Sequence, residues 1–214
     1  IVMPTNAPSV KKNAVLDYGG IVHDCEPTLE QRLATCERVA AETGGTIIPP
    51  YDDDRIIAGQ GTIALELLGQ VPDLDAIVAP VGGGGMIAGI AICVKAIAPG
   101  IRVIAAEPEL VDDAARSRRS GRIEPHRGDP TSTIADGLRT TLGERTFPVI
   151  RDLVDDIVTV PEAAIRDALR LVMERAKLVI EPSAAVGIAA LGTDAFRRHG
   201  FERVGVVLCG GNLD

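Results

Sequence analysis

Two periodicities alternate along the chain. Short unbroken apolar runs recur at Ala76-Ile77-Val78-Ala79-Pro80-Val81, at Arg102-Val103-Ile104-Ala105-Ala106, at Ile157-Val158-Thr159-Val160 and from Val204 to Leu208. Runs of this length, bounded by Gly, Pro or Asp, predict buried strands. Between them, helical patterning predicts helices near residues 60–69, from Met86 to Ala98 and from Ser183 to Leu191. Ile165, Ala168, Leu169, Val172 and Ala176 share one helical face, and Pro161 suits the first position of that helix, where its missing N–H costs nothing. Upstream, residues 9–18 predict a helix stopped by Gly19-Gly20. Thr28 and Gln31 have the spacing of a capping box, opening a helix that runs through Glu42 to Gly44-Gly45. Ile1-Val2-Met3, Ile21-Val22-His23 and Thr46-Ile47-Ile48 predict short strands, and residues 112–148 predict loops with short helices at most. Strands separated by helices imply an α/β fold whose parallel-rich sheet is covered on both faces. The polar joint Tyr51-Asp52-Asp53-Asp54-Arg55 is the expected domain boundary, dividing residues 1–54 from 55–214. Because Ile1-Val2-Met3 reads as a strand met midway, and Asn212-Leu213-Asp214 follows a glycine turn into no further element, we expect residues upstream of this chain.

Composition removes several partners. Hydrophobic residues make up 46% of the 214, enough for a real core, while the net charge of -8 argues against nucleic acid or an anionic membrane. No apolar stretch approaches the ~18 residues of a membrane span, and the opening does not read as a signal peptide. Cys25, Cys36, Cys93 and Cys209 lack tight metal spacing, so free thiols in a reducing cytoplasm are expected. His23, His126 and His199 read as structural or solvated.

Val81-Gly82-Gly83-Gly84-Gly85-Met86 joins a predicted strand to a predicted helix. Glycines let backbone N–H groups approach an anion, and a helix start adds partial positive charge, so the segment reads as a phosphate cradle. A dinucleotide site is the rival reading. Gly83-x-Gly85-x-x-Ala88 fits the fingerprint, and Glu107 ends the next strand where a ribose-binding acid belongs.

Five segments in order separate the two readings. They are Ile57-Ala58-Gly59-Gln60-Gly61-Thr62, Pro80-Val81-Gly82-Gly83-Gly84-Gly85-Met86, Thr133-Ile134-Ala135-Asp136-Gly137, Ile180-Glu181-Pro182-Ser183-Ala184-Ala185 and Leu208-Cys209-Gly210-Gly211-Asn212. Together they resemble the serine racemase and serine/threonine dehydratase branch of the tryptophan-synthase-β-like enzymes that use pyridoxal 5'-phosphate (PLP). The resemblance covers the whole chain, and the dinucleotide reading leaves its last three segments unexplained. It implies a fold-type-II PLP enzyme, N-terminally incomplete, with residues 1–54 as part of the small domain and 55–214 as most of the large, cofactor-binding domain. The implied activity is dehydration or racemisation of serine, threonine or a related β-hydroxy amino acid. A Rossmann-type NAD protein, or a non-catalytic PLP- or phosphate-binding remnant, is the alternative.

The resemblance also implies roles. Gly82, Gly83, Gly84, Gly85 and Met86 would hold the PLP phosphate, Cys209 would face the pyridine nitrogen, and Gly137, Glu181 and Tyr51 would line the cofactor pocket. A neutral thiol cannot keep the ring nitrogen protonated as a carboxylate would, so the ring would be a milder electron sink. Glu107, the Val111 carbonyl and Asp113 match a divalent-metal site for Mg2+ or Ca2+, with Mn2+ a further candidate. Tyr18, Lys177 and Asn212 match contacts to an ATP effector at the interface of a homodimer.

The chain has four lysines, Lys11, Lys12, Lys95 and Lys177, and none lies in the family's Ser-Phe-Lys-type motif. The resemblance places the Schiff-base lysine upstream. The expectation is that these 214 residues alone are inactive, with no catalytic residue among them.

Overall fold

The computed structural model describes residues 1–213, the Leu29 side chain excepted; position 214, the end of the second expected domain, lies outside. The chain forms two compact units, Ile1–Ile48 and Pro49–Leu213.

In the first unit, strands β1 (Val2–Pro4) and β2 (His23–Cys25) pair in parallel. Helix α1 (Ser9–Asp17) connects them, and Lys12 binds Asp24 at 2.6 Å to tie the helix to β2. Helix α2 (Leu29–Thr43) starts where Thr28 Oγ1 accepts the Gln31 N–H at 3.2 Å and stops at left-handed Gly44, as its sequence predicts. The strand expected at 21–23 sits two residues later, where Asp24 pairs with Met3 and Cys25 with Pro4. The strand expected at 46–48 is absent. Ile48 is 74% exposed, and the prolines that follow at 49 and 50 lack the N–H groups a ladder needs.

The second unit is built on a four-stranded parallel sheet, ordered β5-β4-β3-β6. The strands are β3 (Ala76–Pro80), β4 (Arg102–Pro108), β5 (Asp156–Val160) and β6 (Val204–Val206). Strand side chains alternate between two cores. Ala76, Val78, Ile104 and Ala106 pack with helices α7 (Glu162–Leu171) and α8 (Pro182–Leu191), and with Phe196 of the short α9 (Asp194–Arg197). Ile77, Ala79, Val103 and Ala105 pack with α3 (Asp54–Gln70), α4 (Gly85–Ile97), α5 (Asp113–Ser120) and α6 (Thr146–Leu153). The apolar runs are therefore unbroken because both faces are covered.

Two helix starts differ from expectation. Helix α3 begins at Asp54, six residues before the predicted start, because Asp53 accepts the Arg55 N–H at 2.9 Å and caps it. One glycine from each helix closes the contact between α3 and α4: a Cβ on Gly61 would come within 3.2 Å of the Gly89 carbonyl, and a Cβ on Gly89 would collide with the Ile57 carbonyl. Pro161 has extended backbone and is the N-cap of α7, so Glu162 holds the first helical position. After Leu171 the helix widens into a π turn, Val172–Ala176, closed by Lys177 at φ 60°.

Asp155 fastens the amino edge of the sheet. It accepts from Lys95 Nζ on α4 at 2.6 Å, from Arg102 at 2.6 Å and from the Val103 N–H at 2.8 Å. Burial pushes its carboxyl upward, but these donors outweigh burial and hold it below the ordinary carboxylate value. A depressed pKa stabilises the fold above the unfolded value of about 4 and stops doing so as pH falls through the folded one. Asp155→Asn should therefore cost about 2–3 kcal/mol at pH 7. In urea unfolding the gap between variant and parent should narrow steadily below about pH 4; a gap independent of pH would contradict this account.

Candidate functional site

Parallel strands deliver their following loops to one edge of the sheet. Strand β3 ends in the glycine run, β4 ends at Glu107 and Pro108, and β6 leads to Cys209 and Gly210. The glycine run turns into α4 at Gly84, whose φ is 92°, a conformation that glycine adopts without strain. The first ladder bond of α4 runs from the Ala88 N–H to the Gly84 carbonyl at 2.9 Å. Helix geometry leaves the N–H groups before Ala88 without intrahelical acceptors, at the positive end of the helix dipole.

The loop is gripped on several sides. The Tyr51 ring lies against Gly83, where a Cβ would overlap it. On the other side a Cβ on Gly84 would come within 2.6 Å of Ile150 Cδ1 and 3.0 Å of Thr146, both on α6. Thr146 is fully buried and donates its hydroxyl to the Gly83 carbonyl at 2.7 Å. Asp52 caps the start of α6, accepting the N–H groups of Glu144, Arg145 and Thr146 at 3.1, 2.9 and 3.2 Å.

From the loop, a series of close approaches runs through the remaining expected positions. A Cβ on Gly82 would meet Leu138 Cα at 3.0 Å and the Gly137 carbonyl at 3.3 Å. The Gly137 N–H donates to Ser183 Oγ at 3.0 Å, and a Cβ there would lie 3.5 Å from the Glu181 carboxylate. A Cβ on Gly210 would fall 2.6 Å from Glu181 Cδ, while the Glu181 N–H donates to the Gly210 carbonyl at 3.0 Å. Cys209 precedes that turn and reaches solvent. Protein packed around its thiol, and secondarily the Glu181 carboxylate, push it up to about 11. Gly82, Gly83, Gly84, Gly85, Met86, Tyr51, Gly137 and Glu181 thus share one edge with Cys209. Sequence reading missed Thr146, Asp52 and Ser183.

Glu107 and Asp113 are each 1% exposed. Glu107 accepts the N–H groups of Ala114 and Ala115 at 2.7 and 3.0 Å, capping α5. Asp113 accepts the Leu142 N–H at 3.3 Å, and its other oxygen lies 3.2 Å from His126 Nδ1, a Coulombic contact too poorly aligned for a hydrogen bond. His126 is therefore structural but engaged, with Nε2 3.1 Å from the Arg139 carbonyl. Burial pushes Glu107 up to about 8 and Asp113 up to about 6. Among the described residues no three His, Cys, Asp or Glu side chains gather, so a metal here would need the buried Val111 to contribute its carbonyl. Glu107 is buried and turned toward α5, which argues against the exposed ribose-binding acid that the dinucleotide reading requires.

The three remaining expected residues are all exposed. Tyr18 belongs to the first unit and is 90% exposed. Lys177 and Asn212 are exposed residues of the second unit, and Lys177 Nζ donates to the Glu174 carbonyl at 2.8 Å.

Residues 1–210 match the family model described as pyridoxal-phosphate dependent enzyme. The chain is 49% identical over 218 residues to serine racemase of Arabidopsis thaliana, covering 100% of this chain and 65% of that protein. Among solved structures, maize serine racemase superposes with a TM-score of 0.95 at 45% identity, over 100% of this chain and 66% of that one. Serine racemase from Dictyostelium discoideum superposes with a TM-score of 0.91 at 45% identity, over 100% and 68% respectively. A threonine deaminase also superposes with a TM-score of 0.91, at 44% identity, over 100% and 69%. The chain thus spans about two thirds of the length of these relatives.

Gly84 gives a direct test of the cradle's geometry. Gly84→Ala should cost about 2–4 kcal/mol in chemical denaturation, from left-handed strain plus overlap with α6. Gly128→Ala, whose Cβ would meet nothing within 4 Å, should stay within about 0.5 kcal/mol of the parent. Equal losses at both positions would refute the tight packing described.

Proposed function

The chain belongs to the pyridoxal-phosphate-dependent enzymes, and on that premise we propose that it is the greater part of a dehydratase or racemase acting on serine, threonine or a related β-hydroxy amino acid. The observation that carries the reading is the series of close approaches that links Gly82 of the glycine loop through Gly137 and Glu181 to Gly210. The activities named for the similar proteins support the substrate class.

PLP, when bound, supplies an electron sink for charge developing at the substrate Cα. The residues present fit it. Gly82, Gly83, Gly84, Gly85 and Met86 offer N–H groups at a helix start, suited to the phosphate. Tyr51, Gly137 and Glu181 bound the space beside that loop. The Cys209 thiol stays neutral at pH 7, so it offers the ring nitrogen a hydrogen-bonding partner without holding a proton there. The second unit's two lysines are engaged elsewhere. Lys95 binds Asp155 and the Ile101 carbonyl at the amino edge of the sheet, and Lys177 binds Glu174. In this reading the lysine that carries the cofactor belongs outside residues 1–214, which alone would turn over no substrate. In this reading residues 1–54 are part of the small domain and 55–214 most of the cofactor domain.

The buried pair Glu107 and Asp113, with the Val111 carbonyl, would take Mg2+ or Ca2+, or alternatively Mn2+. Burial that raises both carboxyls is the penalty a divalent cation offsets. Tyr18, Lys177 and Asn212 are exposed, as contacts to an ATP effector require. Leu171, Met173, Leu178 and Val179 expose apolar surface around the π turn, which supports a homodimer. A cytoplasmic setting completes the reading; among the described residues no helix is long and apolar enough to cross a membrane.

Titration of the full-length protein with PLP and with NAD, followed by absorbance and fluorescence, should give a PLP response alone. Micromolar NAD binding without a PLP response would overturn the assignment. Separately, millimolar Mg2+ should raise the melting temperature of the parent, by the equivalent of about 2.7 kcal/mol at a hundredfold excess over Kd, and leave Glu107→Ala unmoved. Equal shifts in both would remove the metal site.

A further inference from the structure

We infer that Thr146, held in place by Asp52, is a positioning residue that aims the Gly84 N–H into the phosphate cradle. The inference rests on the cofactor reading above and adds to it a residue that touches the loop from behind.

Thr146 Oγ is fully buried and has three neighbours within hydrogen-bond distance. It accepts from the Gly143 N–H at 2.9 Å. Its single proton can go to the Gly83 carbonyl at 2.7 Å or the Gly143 carbonyl at 3.2 Å, and the shorter contact takes it. The described chain has no cis peptide, so the Gly83–Gly84 peptide is trans and planar. In a trans peptide the C=O and the following N–H point in opposite directions. Fixing the Gly83 carbonyl toward α6 therefore fixes the Gly84 N–H away from α6. A loop of four glycines has little intrinsic preference for one orientation of that peptide, since glycine tolerates both signs of φ. An external tether must select it: the Gly143 N–H reaches the Gly83 carbonyl only at 3.4 Å, and Thr146 is the side chain that reaches it, at 2.7 Å.

Asp52 sets where that tether stands. Its two oxygens take three successive N–H groups, from Glu144 to Thr146, and Gly143 leaves the room it occupies, since a Cβ there would overlap the Asp52 carboxyl. The neighbouring Tyr51 ring covers Gly83, so one short segment bears on the loop directly and through α6.

The test separates phosphate recognition from general stability by comparing PLP with pyridoxal, which lacks the phosphate. In the full-length protein the ratio of the two Kd values reads the cradle. Thr146→Val should lower that preference for PLP about tenfold, with pyridoxal affinity unchanged, and Thr146→Ser should restore it to within about threefold. Should the valine variant fail to fold, Asp52→Asn is read in the same way and should lower the ratio at least threefold. A parental ratio in Thr146→Val, or in Asp52→Asn where it replaces the valine variant, overturns the inference. Equal weakening of both ligands also overturns it, because that marks a merely structural role. A parent that does not prefer PLP over pyridoxal would instead remove the cofactor reading underneath.

Discussion

Main chain presses on main chain at the carboxyl edge of the sheet, and that contact governs what every nearby segment can be. The glycine run lies against the Gly137 segment, and the Glu181 N–H meets the Gly210 carbonyl at 3.0 Å. Such approaches are possible only where no Cβ stands between, so side-chain chemistry there must come from residues that flank the glycines. Glu181, Ser183, Thr146 and Tyr51 all reach the edge from neighbouring segments. The sheet makes the arrangement durable. Residues alternate along β3 and β4 between two apolar cores, so any displacement of one strand end disturbs packing on both faces.

The apolar runs were legible because both faces of a parallel sheet are covered, and the glycine run was legible because its composition has few other uses. Isolated short strands were less so. Thr46-Ile47-Ile48 has the residues of a strand, yet a strand exists only with a partner, and pattern within the run carries no information about one. Thr146 was illegible for a related reason. It sits 63 positions from Gly83 and 94 from Asp52, in a stretch whose local pattern signals only loop and short helix. Lys95 and Asp155, 60 apart, were equally invisible as a pair.

Glu107 shows how one residue can satisfy two sequence arguments. Its place after β4 suits a ribose-binding acid, and its place before Asp112-Asp113 suits a metal ligand. Orientation speaks against the first. The carboxylate turns inward to cap α5 and lies beside Asp113, in a buried setting where an uncompensated charge is costly.

The contact between α3 and α4 has a further consequence. At Gly89 the two helices meet backbone to backbone, with no layer of side chains to repack. A side-chain interface can absorb a change on one helix by a smaller residue on the other; a backbone interface has nothing to shrink. The helix pair is therefore a spacer of fixed thickness. Helix α3 begins just after Tyr51 and α4 just after Gly84, so the spacer sets the clearance between the tyrosine ring and the glycine turn. The tightest tolerance in the cradle is held in this way by a dimension that point mutation has little means to adjust.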